Sequence, residues 1–242
     1  MKTVTSLNFT LRIGKQVTDN YCFTSIKIGD KYDAGYVNKL YNMVRLQSDV
    51  PFFCFTDNTD GLNKNIETID MDVTEYQDWY RWWPAWCKIL MFNHLHEFDR
   101  KIFFDLDVII HGDITPLLQH DENFSLVYSK WKGVKFKMKN KNKSMYNSSC
   151  IVWKDNRDLY EYWKMNAQHF VSLYGGTDDF YHCEKIPRTA LPLIFYSYRD
   201  GAKPDQNNSL IMREDHAVAI LHQEPKNHTL NEEEHPIIKY WV

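Results

Sequence analysis

The sequence predicts an α/β domain: a mixed, mainly parallel sheet flanked by helices, formed by residues 1–242 as a single unit. Three observations predict it. Apolar runs of strand length alternate with helix-spaced segments, and several of those runs end on Gly or Asp, the residues that turn a chain out of a sheet. A chain of 242 residues with 43% hydrophobic content also buries a substantial core without being forced into two domains.

Tyr21 to Ile28 reads as the first strand, and the segment after Gly29 carries Tyr36, Leu40, Met43 and Val44 at helical spacing. Pro51 to Thr56 (PFFCFT) is a second buried strand, stopped by Asp57-Asn58, and Ile66 to Met71 is a third. Next, EYQDWYRWWPAWCKILMFNHLHEF predicts a helix with Pro84 in its first turn and Trp86, Ile89, Leu90, Phe92 and Leu95 on a wide apolar surface. Lys88 interrupts that surface. Its ammonium either snorkels to solvent or meets an anion in a partly dry site.

That helix leads into KIFFDLDVIIHGD, Lys101 to Asp113. Ile102, Phe103 and Phe104 suit a buried strand, and two carboxylates follow at Asp105 and Asp107. Alternation along a strand puts both acids on one face while Leu106 points into the core. Like charges held that close raise each other's pKa unless a cation lies between them, and a divalent metal is the simplest remedy. The bland alternative is a pair of acids in a solvated turn. The apolar neighbours Phe104, Val108, Ile109 and Ile110 favour the floor of a cleft. In open α/β sheets ligands bind beyond the carboxyl ends of strands, where Gly29 to Tyr32, Asp57 and Asp105 all fall.

Beyond Asp113, ITPLLQ is a short turn or helix and Phe124 to Ser129 another strand. KWKGVKFKMKNKNK then places lysines at 130, 132, 135, 137, 139, 141 and 143. Such a run is a solvated edge strand or hairpin, or a basic flap over a phosphate-bearing donor or an acidic acceptor. Tyr146 to Trp153 (YNSSCIVW) is a strand with Asn147, Ser148 and Ser149 at its entrance, residues that suit hydroxyl-rich ligands and turns equally. Leu159 to Leu173 is helical up to Gly175-Gly176, and the acids that follow, Asp178 and Asp179, either cap a helix or contact a substrate. Ala217 to Leu221 is a last buried strand, followed by His222. A histidine there is a satisfied structural residue or a metal ligand; with Asp105 and Asp107 it would form a mixed O/N set suited to manganese or magnesium rather than a structural zinc.

Charge excludes a general nucleic-acid binder, since 29 basic residues face 32 acidic ones. Five widely spaced cysteines mostly inside apolar runs suit reduced thiols. The opening MKTVTSLNFTLRIGK lacks a signal-peptide apolar stretch and no run reaches membrane-spanning length, so the expectation is a cytoplasmic protein without a transmembrane segment. The Asn-x-Ser/Thr triplets at Asn8 and Asn147 then have no bearing on function. Eight Trp and fifteen Tyr suit ring-shaped ligands or an aromatic core.

Together, GDKY (Gly29 to Tyr32), FTDN (Phe55 to Asn58), WPAWCK (Trp83 to Lys88), FFDLDVII (Phe103 to Ile110), YNSSCIVW, GTDDF (Gly176 to Phe180) and HQEPK (His222 to Lys226) resemble, in order, the motifs of GT-A (Rossmann-like) glycosyltransferases related to glycosyltransferase family 8, which includes glycogenin and bacterial galactosyltransferases. The resemblance implies a transferase moving a hexose from a nucleotide-diphosphate sugar, a UDP-sugar, to a saccharide or glycoconjugate acceptor with retention of configuration. It implies that Asp105, Asp107 and His222 hold Mn2+ or Mg2+, and that Lys88, Lys226 and Asp105 meet the donor diphosphate. It puts Gly29, Asp30, Tyr32 and Asp57 beside the nucleoside, and Asp178, Asp179 and Asn147 at the sugar or acceptor. Where the family often has Asp-Gln this chain has Thr177-Asp178, and Gln223 stands where a glycine commonly follows the histidine. Two rivals are a metal-dependent phosphohydrolase of the haloacid dehalogenase type, which also uses Asp-x-Asp after a strand, and a non-catalytic carbohydrate-binding relative.

Overall fold

The computed structural model describes residues 20–74, 83–201, 210–222 and 226–242. The segment around Asn8 and the residue Gln223 lie outside them. The main sheet has seven strands: β1 (Tyr21–Lys27), β2 (Phe52–Thr56), β3 (Glu67–Asp70), β4 (Arg100–Phe104), β6 (Phe124–Tyr128), β7 (Tyr146–Trp153) and β8 (Thr189–Ala190), in the order β3-β2-β1-β4-β7-β6-β8. From β3 to β4 every pairing is parallel; β7 runs antiparallel to both β4 and β6, and β8 is parallel to β6. A second, three-stranded sheet joins β5 (Val108–Ile110), β10 (Val218–Ile220) and β9 (Phe195–Ser197) in the order β5-β10-β9. The fold class expected from sequence is the one observed, as a single domain.

Both faces of the main sheet are covered, which is why its strands read as unbroken apolar runs rather than alternating ones. On one face the helix α1 (Ala34–Arg45) packs Val37, Leu40 and Val44 against Phe23, Phe52 and the second sheet. Asp33 caps α1, accepting from the Tyr36 amide at 3.2 Å. On the other face Trp86, Phe92 and Trp163 pack over Phe55, Phe103 and Ile151, with α5 (Arg157–Met165), α6 (Ala167–Leu173) and α7 (Thr177–Cys183) outside them. All five cysteines are free and four are buried.

Three expectations need correction. The helix anticipated across Pro84 to Leu95 is a series of single turns, with α2 (Cys87–Leu90) between 3-10 turns Trp83–Trp86 and Met91–Asn93. Trp86, Cys87, Ile89, Met91 and Phe92 are all buried, so the segment has core on several sides, and it ends where Leu95 takes φ 59°. The single helix anticipated from Leu159 to Leu173 is broken at Asn166 into α5 and α6. The basic segment is no edge strand: β6 and β7 already pair with each other, so Lys130–Lys143 is an excursion between them, folded as a 3-10 turn (Lys130–Lys132) and α4 (Gly133–Lys139), with Trp131 buried as its anchor. The short α3 (Thr115–Leu118) with Pro116 in its first turn matches expectation. Among the described residues no helix is long and apolar enough to cross a membrane.

Candidate functional site

The Asp105–Asp107 pair does not lie on a strand. It occupies the connection between β4 and β5, where the chain leaves the main sheet for the second one. Asp105 N still donates to Ser149 O at 2.8 Å, extending the β4–β7 pairing by one residue, while Leu221 N donates to Asp107 O at 2.8 Å, tying the turn to the end of β10. Leu106, 3% exposed, is driven into the core between these two anchors. Burial of that one side chain aims the flanking carboxylates outward, so the facing deduced from strand alternation holds, though a turn produces it.

Both acids line a cleft of about 410 Å³ beyond the carboxyl ends of β1 and β4, together with Gly29, Asp30, Tyr32 and Lys88. Each acid has its own lysine. Lys88 Nζ is 2.7 Å from Asp105 Oδ1 and 2.8 Å from Oδ2, and also donates to Ser148 O at 3.0 Å and Ser148 Oγ at 3.1 Å. Lys226 Nζ is 2.6 Å from Asp107 Oδ2 and donates to Leu221 O at 3.0 Å. Tyr32 completes the set, its hydroxyl donating to Asp107 Oδ2 at 3.0 Å. Burial, with the Asp107 charge adding, pushes the Tyr32 phenol far above its ordinary range, so it stays a donor. Burial also raises the Asp105 carboxyl, against the pull of Lys88. Of the two readings of Lys88, the ammonium meets an anion.

Asp57 acts through backbone: its Oδ2 accepts from Gly29 N at 2.8 Å, joining the ends of β2 and β1 and holding Gly29 at φ 65°, where a side chain is strained. Asn147 Oδ1 accepts from Ser149 N at 3.0 Å, the turn role, and it is Ser148 that faces the neighbouring cavity. His222 lies half-buried at the end of β10, stacked on Trp131 at 6.1 Å between ring centres, with Nε2 3.5 Å from Asp200 Oδ2 yet without a hydrogen bond. Burial lowers its pKa, with Asp200 opposing, so the ring favours the neutral, ligating form.

As donors, two carboxylates facing a cleft and a buried imidazole nitrogen without a partner fit a hard divalent cation. Their arrangement is looser: among the described residues no three His, Cys, Asp or Glu side chains are gathered closely enough to hold a metal. Lys88 and Lys226 stand at the two carboxylates, and His222 is turned to Trp131 and Asp200.

A second cavity of about 330 Å³ adjoins the first, with Ala85 and Lys88 on the wall between them. Asp178 and Asp179, in the first turn of α7, both line it. Asp179 is tied down, its Oδ2 2.6 Å from Lys143 Nζ and its Oδ1 accepting from Ser144 N at 3.1 Å. Asp178 is buried more deeply: its Oδ1 has no hydrogen-bond partner, and burial raises its carboxyl against the charges of Lys88 and Lys132 and a hydrogen bond from Ser148. Lys132 also lines this cavity and was not singled out from sequence, where it is one lysine of seven; Trp131, the aromatic beside it, was the available signal.

No protein-family model matches the chain, and no curated protein matches it. Solved structures do. A galactosyltransferase, LgtC, solved in complex with donor and acceptor sugar analogues, superposes at TM-score 0.62 with 13% identity, over 90% of this chain and 93% of that one. WbbM, a bifunctional glycosyltransferase, gives TM-score 0.61 and 12% identity over 95% of this chain and 51% of that one. Mouse xyloside xylosyltransferase 1 gives TM-score 0.51 and 11% identity, over 83% and 96%. This is the GT-A fold. Its parallel half supplies the ends of β1 and β4 that open onto the 410 Å³ cleft, and its switch to antiparallel pairing at β7 puts Ser148 and α7 beside Lys88. The GT-A sheet thus brings together Asp30, Tyr32, Lys88, Asp105, Asp107 and Lys226, while the Asp178–Asp179 turn stands at an adjoining cavity.

Proposed function

We propose that this chain transfers a sugar from a nucleotide-diphosphate donor, a UDP-hexose by the motif resemblance, to a saccharide or glycoconjugate acceptor with retention of configuration. The observation that carries the reading is the cleft in which Asp105 and Asp107 stand with Lys88 and Lys226 2.6–2.8 Å away, beyond the ends of parallel strands. Two fixed ammonium groups at one end of a cleft suit a diphosphate, whose charge grows as the sugar departs. Asp105 and Asp107 would hold Mn2+ or Mg2+, with His222 as the third ligand. When bound, the ion supplies Lewis-acid stabilisation of the leaving diphosphate.

The chain's own residues do the rest. Tyr32 orients Asp107 by donating to Oδ2 and gives the cleft an aromatic wall for the nucleoside, with Gly29 and Asp30 beside it. Lys88 links the two cavities, so the diphosphate and the sugar it carries lie on either side of one ammonium. Asp178, on the wall of the second cavity, accepts a hydrogen bond from a sugar hydroxyl. Asp179 holds the loop at Lys143 and Ser144 against α7.

The test is thermal stability of the full chain with Mn2+ and a panel of nucleotides. UDP or GDP with Mn2+ is expected to raise Tm, and Asp107→Asn to abolish that response while the protein stays folded. A response to inorganic phosphate alone, with phosphatase turnover, supports the hydrolase instead; an unchanged nucleotide response in Asp107→Asn removes the metal assignment.

A further inference from the structure

The lysine-rich excursion between β6 and β7 has an inner and an outer side. On the inner side Trp131 is buried and stacked on His222, Lys132 and Phe136 line the 330 Å³ cavity, and Asp178 and Asp179 are faced by Lys132 and Lys143. The outer side carries no acid of its own. Lys130, Lys135, Lys137, Lys139 and Lys141 are all exposed, and among the described residues none of them forms an ion pair. Residues 130–143 hold seven lysines and no acid in a chain of net charge −3, so positive charge is concentrated here against the sign of the whole. Met138 stands among these lysines, 73% exposed. It lies two residues from Phe136, about 200° around α4, so the helix turns one apolar side chain to the cavity and the other to solvent, one turn on from Lys135. A further exposed apolar side chain, Leu173 at 57%, lines one hollow with Asn142 and Lys143 at the far end of the excursion.

We propose that the outer side of this excursion is a docking surface for an anionic lipid bilayer. Lysines close to a negatively charged leaflet gain from its surface potential, and their methylene stems lie along the apolar boundary while the ammonium groups stay among the headgroups. Met138, with Leu173 at the edge, then leaves water, as the apolar side of an interfacial helix does. Those apolar groups separate a bilayer from a soluble polyanion, which engages the lysines equally but leaves Met138 and Leu173 in water. Single-stranded nucleic acid also needs aromatic faces to stack on, whereas Trp131 and Phe136, the two aromatics of the excursion, are turned inward. Lys143 ties the excursion to Asp179 in the first turn of α7, which holds the surface beside the second cavity. The docking does not depend on the glycosyl-transfer reading, and it is measured without nucleotide or metal.

The experiment floats the full chain with vesicles of phosphatidylcholine alone and with vesicles containing about one-third phosphatidylglycerol, in about 0.1 M NaCl. The anionic vesicles are expected to bind roughly tenfold or more tighter. The triple variant Lys135→Gln, Lys137→Gln, Lys139→Gln is expected to lower that affinity about a hundredfold, near fivefold for each lysine. A control triple with the same change of charge on other exposed lysines, Lys64→Gln, Lys164→Gln, Lys239→Gln, is expected to stay within about twofold of the wild type. Met138→Gln is expected to cost about fivefold on vesicles and nothing on heparin or poly(A) RNA. Should the first triple misfold, the wild type in about 0.5 M NaCl, where vesicle binding falls, decides together with Met138→Gln. Equal binding to neutral and anionic vesicles, equal losses in the two triples, or an affinity for heparin or RNA that matches the vesicles with Met138→Gln silent on both overturns the proposal. The Tm response to UDP and Mn2+ is expected to be the same in the wild type and the first triple, so that the transfer reading stands or falls separately.

Discussion

Lys226 Nζ lies 2.6 Å from Asp107 Oδ2, joining two residues 119 apart in sequence at the edge of the cleft. Their side chains are 11% and 14% exposed, so the pair is largely dry and neither partner is easily left alone.

Removing one partner is therefore worse than removing both. Lys226→Met is expected to cost about 1–3 kcal/mol by leaving a buried carboxylate unpaired, and to weaken UDP binding about tenfold or more. The double variant Asp107→Asn with Lys226→Met regains part of that stability. Urea titrations of the wild type, both single variants and the double variant give the coupling directly.

Leu106 aims both carboxylates, so truncating it acts on site and fold at once. Leu106→Ala is expected to destabilise by about 2–5 kcal/mol and to lower nucleotide affinity, whereas Leu106→Met, similar in volume, keeps most of both. Affinity untouched in a destabilised Leu106→Ala would mean that the backbone anchors at Ser149 and Leu221 suffice.

Gly112 holds the second sheet together by its smallness. A Cβ there would stand 3.0 Å from the Ala217 Cα and 3.3 Å from the His216 carbonyl oxygen, backbone that cannot move without disturbing β5 against β10. Gly112→Ala is expected to cost about 1–3 kcal/mol and, because β10 leads to His222, to reduce the Mn2+ effect on nucleotide binding. Denaturation and the thermal-shift panel test both.

His111 supplies a pH dependence independent of the cleft. Packed between Tyr196 and Tyr240 with Nε2 buried and unpartnered, it has its pKa pushed down to about 4 by burial, with His216 adding. The unfolded chain takes up this proton near pH 6.5, the folded chain only near 4, so the contribution is fully present above 6.5 and is lost as pH falls toward 4. The loss is at most about 3 kcal/mol. In His111→Phe this part of the acid sensitivity is expected to vanish when stability is measured at pH 4.5, 5.5 and 7.

Much of the molecule was legible in its residues because local chemistry and final environment agree. FFCFT and CIVW are continuous apolar runs because both sheet faces are covered, and Asp33 caps a helix whose apolar positions already recur at helical spacing. Asp105, Asp107, Lys88 and Tyr32, all legible at strand ends or in short motifs, line one cleft, and Lys226 bonds to Asp107. Where the reading failed, a contact distant in sequence overrode a local pattern. The Trp86–Phe92 stretch has helical periodicity but core on more than one side, so it breaks into turns; the lysine run alternates like a strand, but β6 and β7 had already taken each other as partners.

The sequence by itself determined the order of strands and helices, the buried residues and the acids that stand at strand ends, since hydrophobic period and turn chemistry are properties of neighbouring residues. Only the tertiary structure decided which charge meets which. That Lys226 reaches Asp107, that His222 turns to Trp131 and Asp200, and that Lys143 holds Asp179 all depend on groups tens of residues apart arriving within a few ångströms. Ion pairing falls away steeply with distance and solvent exposure, and spacing along a chain specifies neither.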